Sequence, residues 1–336
     1  MRQVLIIGMG GIGKRHLRGF MKTGRTEISI CEPSAAIREE TASHHPIKAA
    51  HASLDAVDLA QFDLAVVAAP AHVHIPIAHR LADAGVPFLL EKPLATTMDG
   101  VDSLLDKVAA TRLLVRVGYI LRLRPWLSYA RNCLAEGRIG NVRMVLFVSG
   151  QDFRKYRPDY QNTYYAKASM GGGAILDAAS HQLDYALWTM GPVRQVCAMH
   201  DRLAFEGVEC EDCVLMNLHF ASGALGMIAL NQFQKPNEAS ITFIGSEGNM
   251  SIDMISGIVS FAGDDSNKRG IENLRADDGL SALEFHESMF AIQANSFLDS
   301  MEGKPDSLAT LEDAAANLRV ALAAKESFTQ QIIKTL

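Results

Sequence analysis

Val4-Leu5-Ile6-Ile7-Gly8-Met9-Gly10-Gly11-Ile12-Gly13 decides how the first third of this chain folds. Four apolar residues in a row read as a buried strand, and the glycines after them open a segment in which Leu17 and Phe20 recur at helical spacing. In such a strand, turn and helix, Gly8 takes the tight turn, Gly10 lets the backbone approach a pyrophosphate, and Gly13 lets the helix pack on the strand. The N-terminal amides of the helix then point at the phosphates. A second strand, Ile28 to Cys31, delivers Glu32 at the position where this fingerprint carries its acid. A carboxylate there accepts hydrogen bonds from the ribose hydroxyls of NAD and repels the 2′-phosphate of NADP. NAD is therefore the expected cofactor and NADP is disfavoured, with Gly8, Gly10, Gly11, Ile12, Gly13 and Glu32 holding it. Arg38, on the next helix, is a nearby cation that works in the other direction.

Outward from this unit the alternation continues. Helices are expected at Ala35 to Ser43, Ile75 to Ala84 and Met98 to Ala110, and strands near Ile47, at Leu64 to Ala69, Val86 to Leu90 and Leu113 to Gly118. Strands and helices of these lengths in alternation give a doubly wound parallel sheet. The pattern changes after Tyr119, so the sequence divides into a Rossmann domain over 1–119 and a second domain over 120–336. In the latter, helices at Trp126 to Glu136 and Ala174 to Met190 sit among strands at Val142 to Val148, Val193 to Leu203, Cys213 to Phe220, Leu225 to Gln232, Ala239 to Ile244, Met250 to Ile255 and Ile258 to Phe261. These form an open, mainly antiparallel sheet in an α+β domain, followed by structural helices at Ala282 to Met301 and Leu308 to Ile333. One face of that sheet packs on helices. The other needs a cover, and a second copy supplies it most simply, so a homodimer or homotetramer is expected.

The net charge of −6 is spread without a basic stripe, which argues against nucleic acid and anionic membranes as partners. Leu64 to Ala71 is among the longest apolar runs, far short of the roughly 18 residues that span a bilayer, and no signal-peptide pattern precedes the first strand. A cytoplasmic location is expected. Five cysteines make an odd count, which suits reduced thiols better than a disulfide framework. Cys210-Glu211-Asp212-Cys213 has redox or zinc-knuckle spacing but no second pair to complete four ligands, and the histidines form no metal-binding frame. No metal is expected.

Two stretches carry the chemistry. Glu91-Lys92-Pro93 ends the fifth strand, which puts Lys92 at the carboxyl edge of the parallel sheet, where ligands bind in open α/β folds. Far downstream, Gly171-Gly172-Gly173 feeds a helix bearing Asp177 and His181 at i and i+4, on one helical face. The carboxylate orients the imidazole, which takes a proton near neutral pH, while Lys92 serves as a hydrogen-bond donor or proton relay to a reacting hydroxyl or carbonyl. Separately these are ordinary surface residues; together they describe an acid–base site.

The chain resembles the glucose-fructose oxidoreductase and inositol dehydrogenase family (Gfo/Idh/MocA). The resemblance rests on the glycine turn with Lys14-Arg15-His16, Ala69-Pro70 with His74, Glu91-Lys92-Pro93, Gly118-Tyr119 followed by Arg122 and Pro125, Gly137-Arg138-Ile139-Gly140, and Gly171 through Asp184, and it covers essentially the whole chain. It implies NAD(P)-dependent oxidation of a sugar or cyclitol hydroxyl, with Lys92, Asp177 and His181 at the catalytic positions. It adds Ala69, Pro70, His74, Glu91 and Lys92 to the cofactor site. Ile120 and Leu121 depart from the family pattern, which has a polar residue after the tyrosine.

Substrate information concentrates in Gln151 to Lys167, where Arg154, Lys155 and Arg157 suit a carboxylate or phosphate and the tyrosines suit a sugar ring. The alternative for this loop is contact with a neighbouring subunit. Tyr119, Arg122, Arg154, Arg157 and Tyr165, with Lys92, Asp177 and His181, are the expected substrate contacts, and the substrate is a sugar-like small molecule, a sugar acid or nucleotide-linked sugar included. Two other functions use the same residues or a subset of them. One is a lyase or glycosidase in which NAD is reduced and reoxidised within each turnover; the other is a non-catalytic NAD-binding sensor.

Overall fold

The apolar run at the N-terminus becomes β1 (Arg2–Ile7), whose last four residues are buried, as a strand covered on both faces must be. In the computed structural model, which describes residues 1–263, 270–275 and 279–336, β1 lies at the centre of one of two compact units. The first unit comprises Met1–Leu123 and Gly279–Ala315, the second Arg124–Asp278 and Ala316–Leu336.

The first unit adds β2 (Thr26–Cys31), β3 (Ala49–His51), β4 (Leu64–Val67), β5 (Phe88–Leu90) and β6 (Val115–Val117) in the order β3-β2-β1-β4-β5-β6. Every pairing is parallel. This is the doubly wound dinucleotide-binding order, and its direction reverses between β1 and β4, where the ligand crevice opens at the carboxyl ends. The connections carry α1 (Gly11–Lys22), α2 (Ala35–His44), α3 (His74–Asp83) and α4 (Val101–Thr111). Helix α4 starts later than its apolar pattern suggests because Gly100, with φ +74°, turns the chain out of the helical region just before it.

The expectation of a single boundary near Tyr119 needs correction. After the second unit the chain returns to the first, and α8 (Ala282–Met301) packs on α1. Ala294, Phe297, Leu298 and Leu308 share a core with Val4, Ile6, Leu17 and Phe20. Gly19 is the point of closest approach: a Cβ there would lie 2.7 Å from the Phe290 carbonyl oxygen. Sequence periodicity identifies α8 as amphipathic, but it does not say which core receives the apolar face.

The second unit contains α5 (Pro125–Ala135), β7 (Val142–Asp152), α6 (Phe153–Tyr156), α7 (Ser180–Met190), β8 (Val193–Asp201), β9 (Cys213–Phe220), β10 (Leu225–Asn231), β11 (Phe233–Gly245), β12 (Asn249–Asp253), β13 (Ile258–Ala262), β14 (Gly270–Asn273), the later part of α9 (Leu311–Gln330) and β15 (Lys334–Thr335). Among the described residues the strands form one nine-stranded sheet, β14-β13-β12-β11-β7-β10-β9-β8-β15, antiparallel except where β7 meets β10. Val145, Phe147, Val214, Met216, Leu218, Ile228 and Phe243 are buried on one face, where the Tyr185 ring of α7 meets Phe147 and Phe243. On the opposite face Met144 stands beside Leu225 and Met199 beside Leu215, all four exposed.

Candidate active site

The glycine turn shows two kinds of glycine. Gly8 has φ +90°, and a Cβ on it would lie 2.7 Å from the Ala68 carbonyl oxygen beyond β4. A Cβ on Gly13 would collide with the Gly8 carbonyl, so α1 can sit on the turn only without a side chain there. Gly10 and Gly11 are exposed, and nothing lies within 4 Å of where their Cβ atoms would be. Packing does not require glycine at these two positions; close approach of a ligand does, and that open space fits the pyrophosphate of NAD.

At the tip of β2, Glu32 is pre-positioned by the backbone. Its Oε2 accepts the Met9 N–H at 2.9 Å and its Oε1 the Ser34 N–H at 3.0 Å. A carboxylate has acceptor capacity for more than two donors, so ribose hydroxyls can still be received. Arg38 donates to the carbonyl oxygens of Glu32 and Pro33, at 2.6 and 2.7 Å, which engages the nearby cation with main chain.

After β5 the side chain of Glu91 turns inward and that of Lys92 stays half-exposed. His16 Nε2, fully buried, lies 2.6 Å from Glu91 Oε1, and Glu91 Oε2 accepts the Lys92 N–H at 3.1 Å. Burial alone would raise the Glu91 pKa; the hydrogen bond and charge of His16, with Lys92, outweigh it, and the carboxyl is held below its ordinary range. The Lys92–Pro93 peptide bond is cis. His74 braces the same turn, with Nδ1 3.0 Å from the Pro93 carbonyl and Nε2 2.7 Å from that of Ala69. Being 1% exposed, His74 is depressed in pKa by burial, against the pull of the two carbonyls. His74 thus fixes the loops after β4 and β5 to each other; of the other residues expected at the cofactor, Ala69 and Pro70 are the more accessible.

Tyr119 and Arg122, expected at the substrate, are 1% and 2% exposed. Arg122 Nη1 reaches Asp313 Oδ2 at 2.8 Å in the first turn of α9, so its guanidinium is engaged in packing within the unit.

In the second unit the expected helix over Ala174 to Met190 has two parts. Ala174–Ala179 is π-helical and α7 follows. Such widened turns gather at functional sites, and this one carries Asp177. The carboxylate is largely buried, and its Oδ1 accepts the Tyr164 hydroxyl at 2.9 Å. His181 stands half-exposed in the first turn of α7. Tyr165, the expected substrate contact, is 1% exposed and packs on Phe153 with ring centroids 4.5 Å apart. Burial, and then the charges of Asp177, Glu211 and Asp212, push its phenol far above the ordinary range. Its neighbour Tyr164 is the one that reaches Asp177. Arg154 lies 5.8 Å from the Phe205 ring and 3.5 Å from Asp152, and Arg157 is half-buried on the adjoining turn. All five cysteines are free, with Cys31 and Cys210 pushed up to about 11 by burial.

The sequence leaves His16 without a role of its own, and Tyr164, expected with the other tyrosines of its loop to suit a sugar ring, is engaged by Asp177. His16 stands in the Lys-Arg-His run after the glycines, but its partner Glu91 lies far along the chain, in the turn after β5. Among the described residues no group of three or more His, Cys, Asp or Glu side chains has the geometry to hold a metal, and no helix is long and apolar enough to cross a membrane.

Residues 2–119 match the model of an oxidoreductase family with an NAD-binding Rossmann fold, and residues 127–251 match the GFO/IDH/MocA C-terminal domain. The chain belongs to the Gfo/Idh/MocA family. It is an NAD-dependent oxidoreductase. Among relatives, the rhizopine catabolism protein MocA of Rhizobium meliloti is 25% identical over 72% of this chain and 75% of its own length. The scyllo-inositol 2-dehydrogenase (NAD(+)) of Bacillus subtilis is 22% identical over 96% of this chain and 93% of its own. Two solved structures share the fold. A levoglucosan dehydrogenase in complex with NADH has a TM-score of 0.87 at 22% identity, covering 99% of this chain and 98% of that one. The WlbA dehydrogenase of Bordetella pertussis, in complex with NADH and UDP-GlcNAcA, has 0.84 at 23%, covering 100% and 97%.

Proposed function

We propose that this family member oxidises a secondary hydroxyl of a sugar, sugar acid or cyclitol, with His181 as the base and Lys92 as the hydrogen-bond donor to the reacting oxygen. The observation that carries this reading is Asp177, fixed by Tyr164 in a π-helical turn four residues ahead of His181. His181 takes the hydroxyl proton as the carbonyl forms; Asp177 orients the imidazole and stabilises it once protonated. Lys92 holds the same oxygen and offsets the charge that develops on it. When bound, NAD supplies the acceptor for the hydride that leaves the carbinol carbon. The turn from Gly8 to Gly13 with Glu32, Ala69 and Pro70 holds it, and the His16–Glu91 and His74 contacts keep the Lys92 turn in register with that site.

Arg154, Lys155 and Arg157, in the segment that leads to Tyr164 and so to Asp177, favour a substrate bearing a carboxylate or phosphate. The WlbA structure holds UDP-GlcNAcA, which agrees with that preference. The exposed row Met144, Leu225, Leu215 and Met199 favours a second copy as the cover of the open sheet face.

The test is a screen of polyols, aldoses and sugar acids with NAD, followed by absorbance. Stoichiometric accumulation of NADH identifies a dehydrogenase. Product without accumulated NADH identifies the internal redox cycle of a lyase or glycosidase, and NAD binding with no turnover anywhere in the screen favours a sensor.

A further inference from the structure

Cys210-Glu211-Asp212-Cys213 has metal or redox spacing, and the two acids between the cysteines carry its interactions. Glu211 is 7% exposed and Asp212 fully buried. The Glu211 carbonyl accepts the Ala174 N–H at 2.9 Å and its Oε1 accepts the Ile175 N–H at 3.0 Å, so one residue takes two successive amides at the start of the π-helical turn. Lys325 Nζ lies 3.6 Å from the other carboxylate oxygen. The carboxylate also sets the residue before the turn: Gly173 has φ +97°, and a Cβ on it would lie 2.7 Å from Glu211 Oε1.

Asp212 ties down a second strand of contacts. Its two oxygens accept the N–H groups of Leu203, Ala204 and Phe205 at 2.9, 2.7 and 2.7 Å. That fixes Phe205 in the aromatic cluster with Tyr160 and Tyr165, directly beside Tyr164, whose hydroxyl reaches Asp177. The Asp177 carboxylate is thus approached from both sides, through the turn that Glu211 caps and through the loop that Asp212 anchors.

We propose that Glu211 is a positioning residue: its carboxylate fixes the π-helical turn so that Asp177 presents its charge to His181. This rests on the reading of Asp177 and His181 as a coupled acid–base pair. The action depends on reach, because the acceptor oxygen must arrive at the Ile175 N–H. Glu211→Asp keeps the charge and loses one methylene of reach; Glu211→Gln keeps the reach and an acceptor oxygen and loses the charge. Positioning by reach therefore orders the two variants opposite to a charge effect.

Two measurements that need no substrate decide it. The first is amide hydrogen exchange over 174–180, and the second is NMR titration of the His181 imidazole in histidine-labelled protein, assigned with His181→Ala. In Glu211→Asp the segment exchanges at least about 10-fold faster and the His181 titration falls by about one pH unit as the carboxylate withdraws. Glu211→Gln keeps both near wild type. Wild-type behaviour of Glu211→Asp, or a change in Glu211→Gln as large as in Glu211→Asp, overturns the proposal. Asp177→Asn is run alongside: if it leaves the His181 titration unmoved, the acid–base pairing itself has failed, and the exchange rates alone then decide whether Glu211 holds the turn.

Discussion

His16 and Glu91 form a buried contact of 2.6 Å between the first helix and the turn that presents Lys92. Phe290 covers the imidazole edge-on at 5.1 Å, and a Cβ at Gly118 would come within 2.8 Å of the same Glu91 oxygen. The turn after β5 is therefore fixed from three directions. Glycine at 118, after the last strand of the sheet, has its physical reason there.

Because the folded Glu91 carboxyl has a pKa below its unfolded value, it contributes stability that is fully present above the ordinary carboxylate range and is lost as pH falls through the lowered folded value. Thermal unfolding from pH 7 down to pH 3 should show this acid loss in the wild type and less of it in Glu91→Gln. At pH 7 that variant should be less stable by about 2 kcal/mol.

Lys92→Ala and His181→Ala should each lower kcat by about 10²- to 10⁴-fold while leaving NAD affinity largely unchanged. Asp177→Asn should cost less and shift the acid limb of the kcat profile to lower pH, since a neutral amide no longer favours protonated His181. Steady-state kinetics across pH separates these outcomes. Near-normal turnover by His181→Ala would dismiss it as the base.

The glycines of the first turn should separate folding from binding. Gly10→Ala meets no atom within 4 Å and should leave the melting temperature of the NAD-free protein unchanged while weakening NAD about 10-fold or more by calorimetry. Gly13→Ala should instead lower the melting temperature itself, because its Cβ meets the Gly8 carbonyl. Equal effects on folding at the two positions would contradict the geometry.

Calorimetry with both dinucleotides tests the acid at the tip of β2. NAD should bind more tightly than NADP, and Glu32→Gln should narrow the difference by removing the charge that repels a 2′-phosphate; its single amide oxygen can keep only one of the two backbone partners, Met9 or Ser34. Tighter NADP binding by the wild type would reverse the assignment.

Leu215→Glu, on the open sheet face beside Met199, should dissociate the proposed dimer or tetramer without unfolding the chain. Light scattering at micromolar concentration, with a thermal melt as control, reads both. A wild-type monomer would leave this face without its expected partner.

Where a segment satisfies its own constraints, the sequence reveals it. Strands β1, β2 and β4, the glycine turn between β1 and the first helix, and the mainly antiparallel run from β7 to β13 could all be read because alternation, apolar runs and glycine chemistry are local. The strand expected near Ile47 forms slightly later, at Ala49–His51, where pairing with β2 fixes its register. What could not be read is non-local. His16 acquires meaning only beside Glu91, and Tyr164 and Tyr165 are neighbours in sequence with opposite surroundings, one at Asp177 and one in an aromatic core. The cysteine spacing at Cys210 and Cys213 points to thiols, whereas the carboxylates between them accept four backbone N–H groups, those of Ile175, Leu203, Ala204 and Phe205.

The return of residues 279–315 to the first unit bears on how the polypeptide is made. A ribosome delivers β1 to β6 long before Ala294, Phe297 and Leu298 exist, so the nascent Rossmann sheet waits with the Leu17 and Phe20 side of its first helix uncovered while about 175 further residues emerge. For that interval the nascent dinucleotide-binding half is a sticky, incomplete body. Its closure waits for that later segment, which makes products truncated before it a natural target for chaperones and proteases.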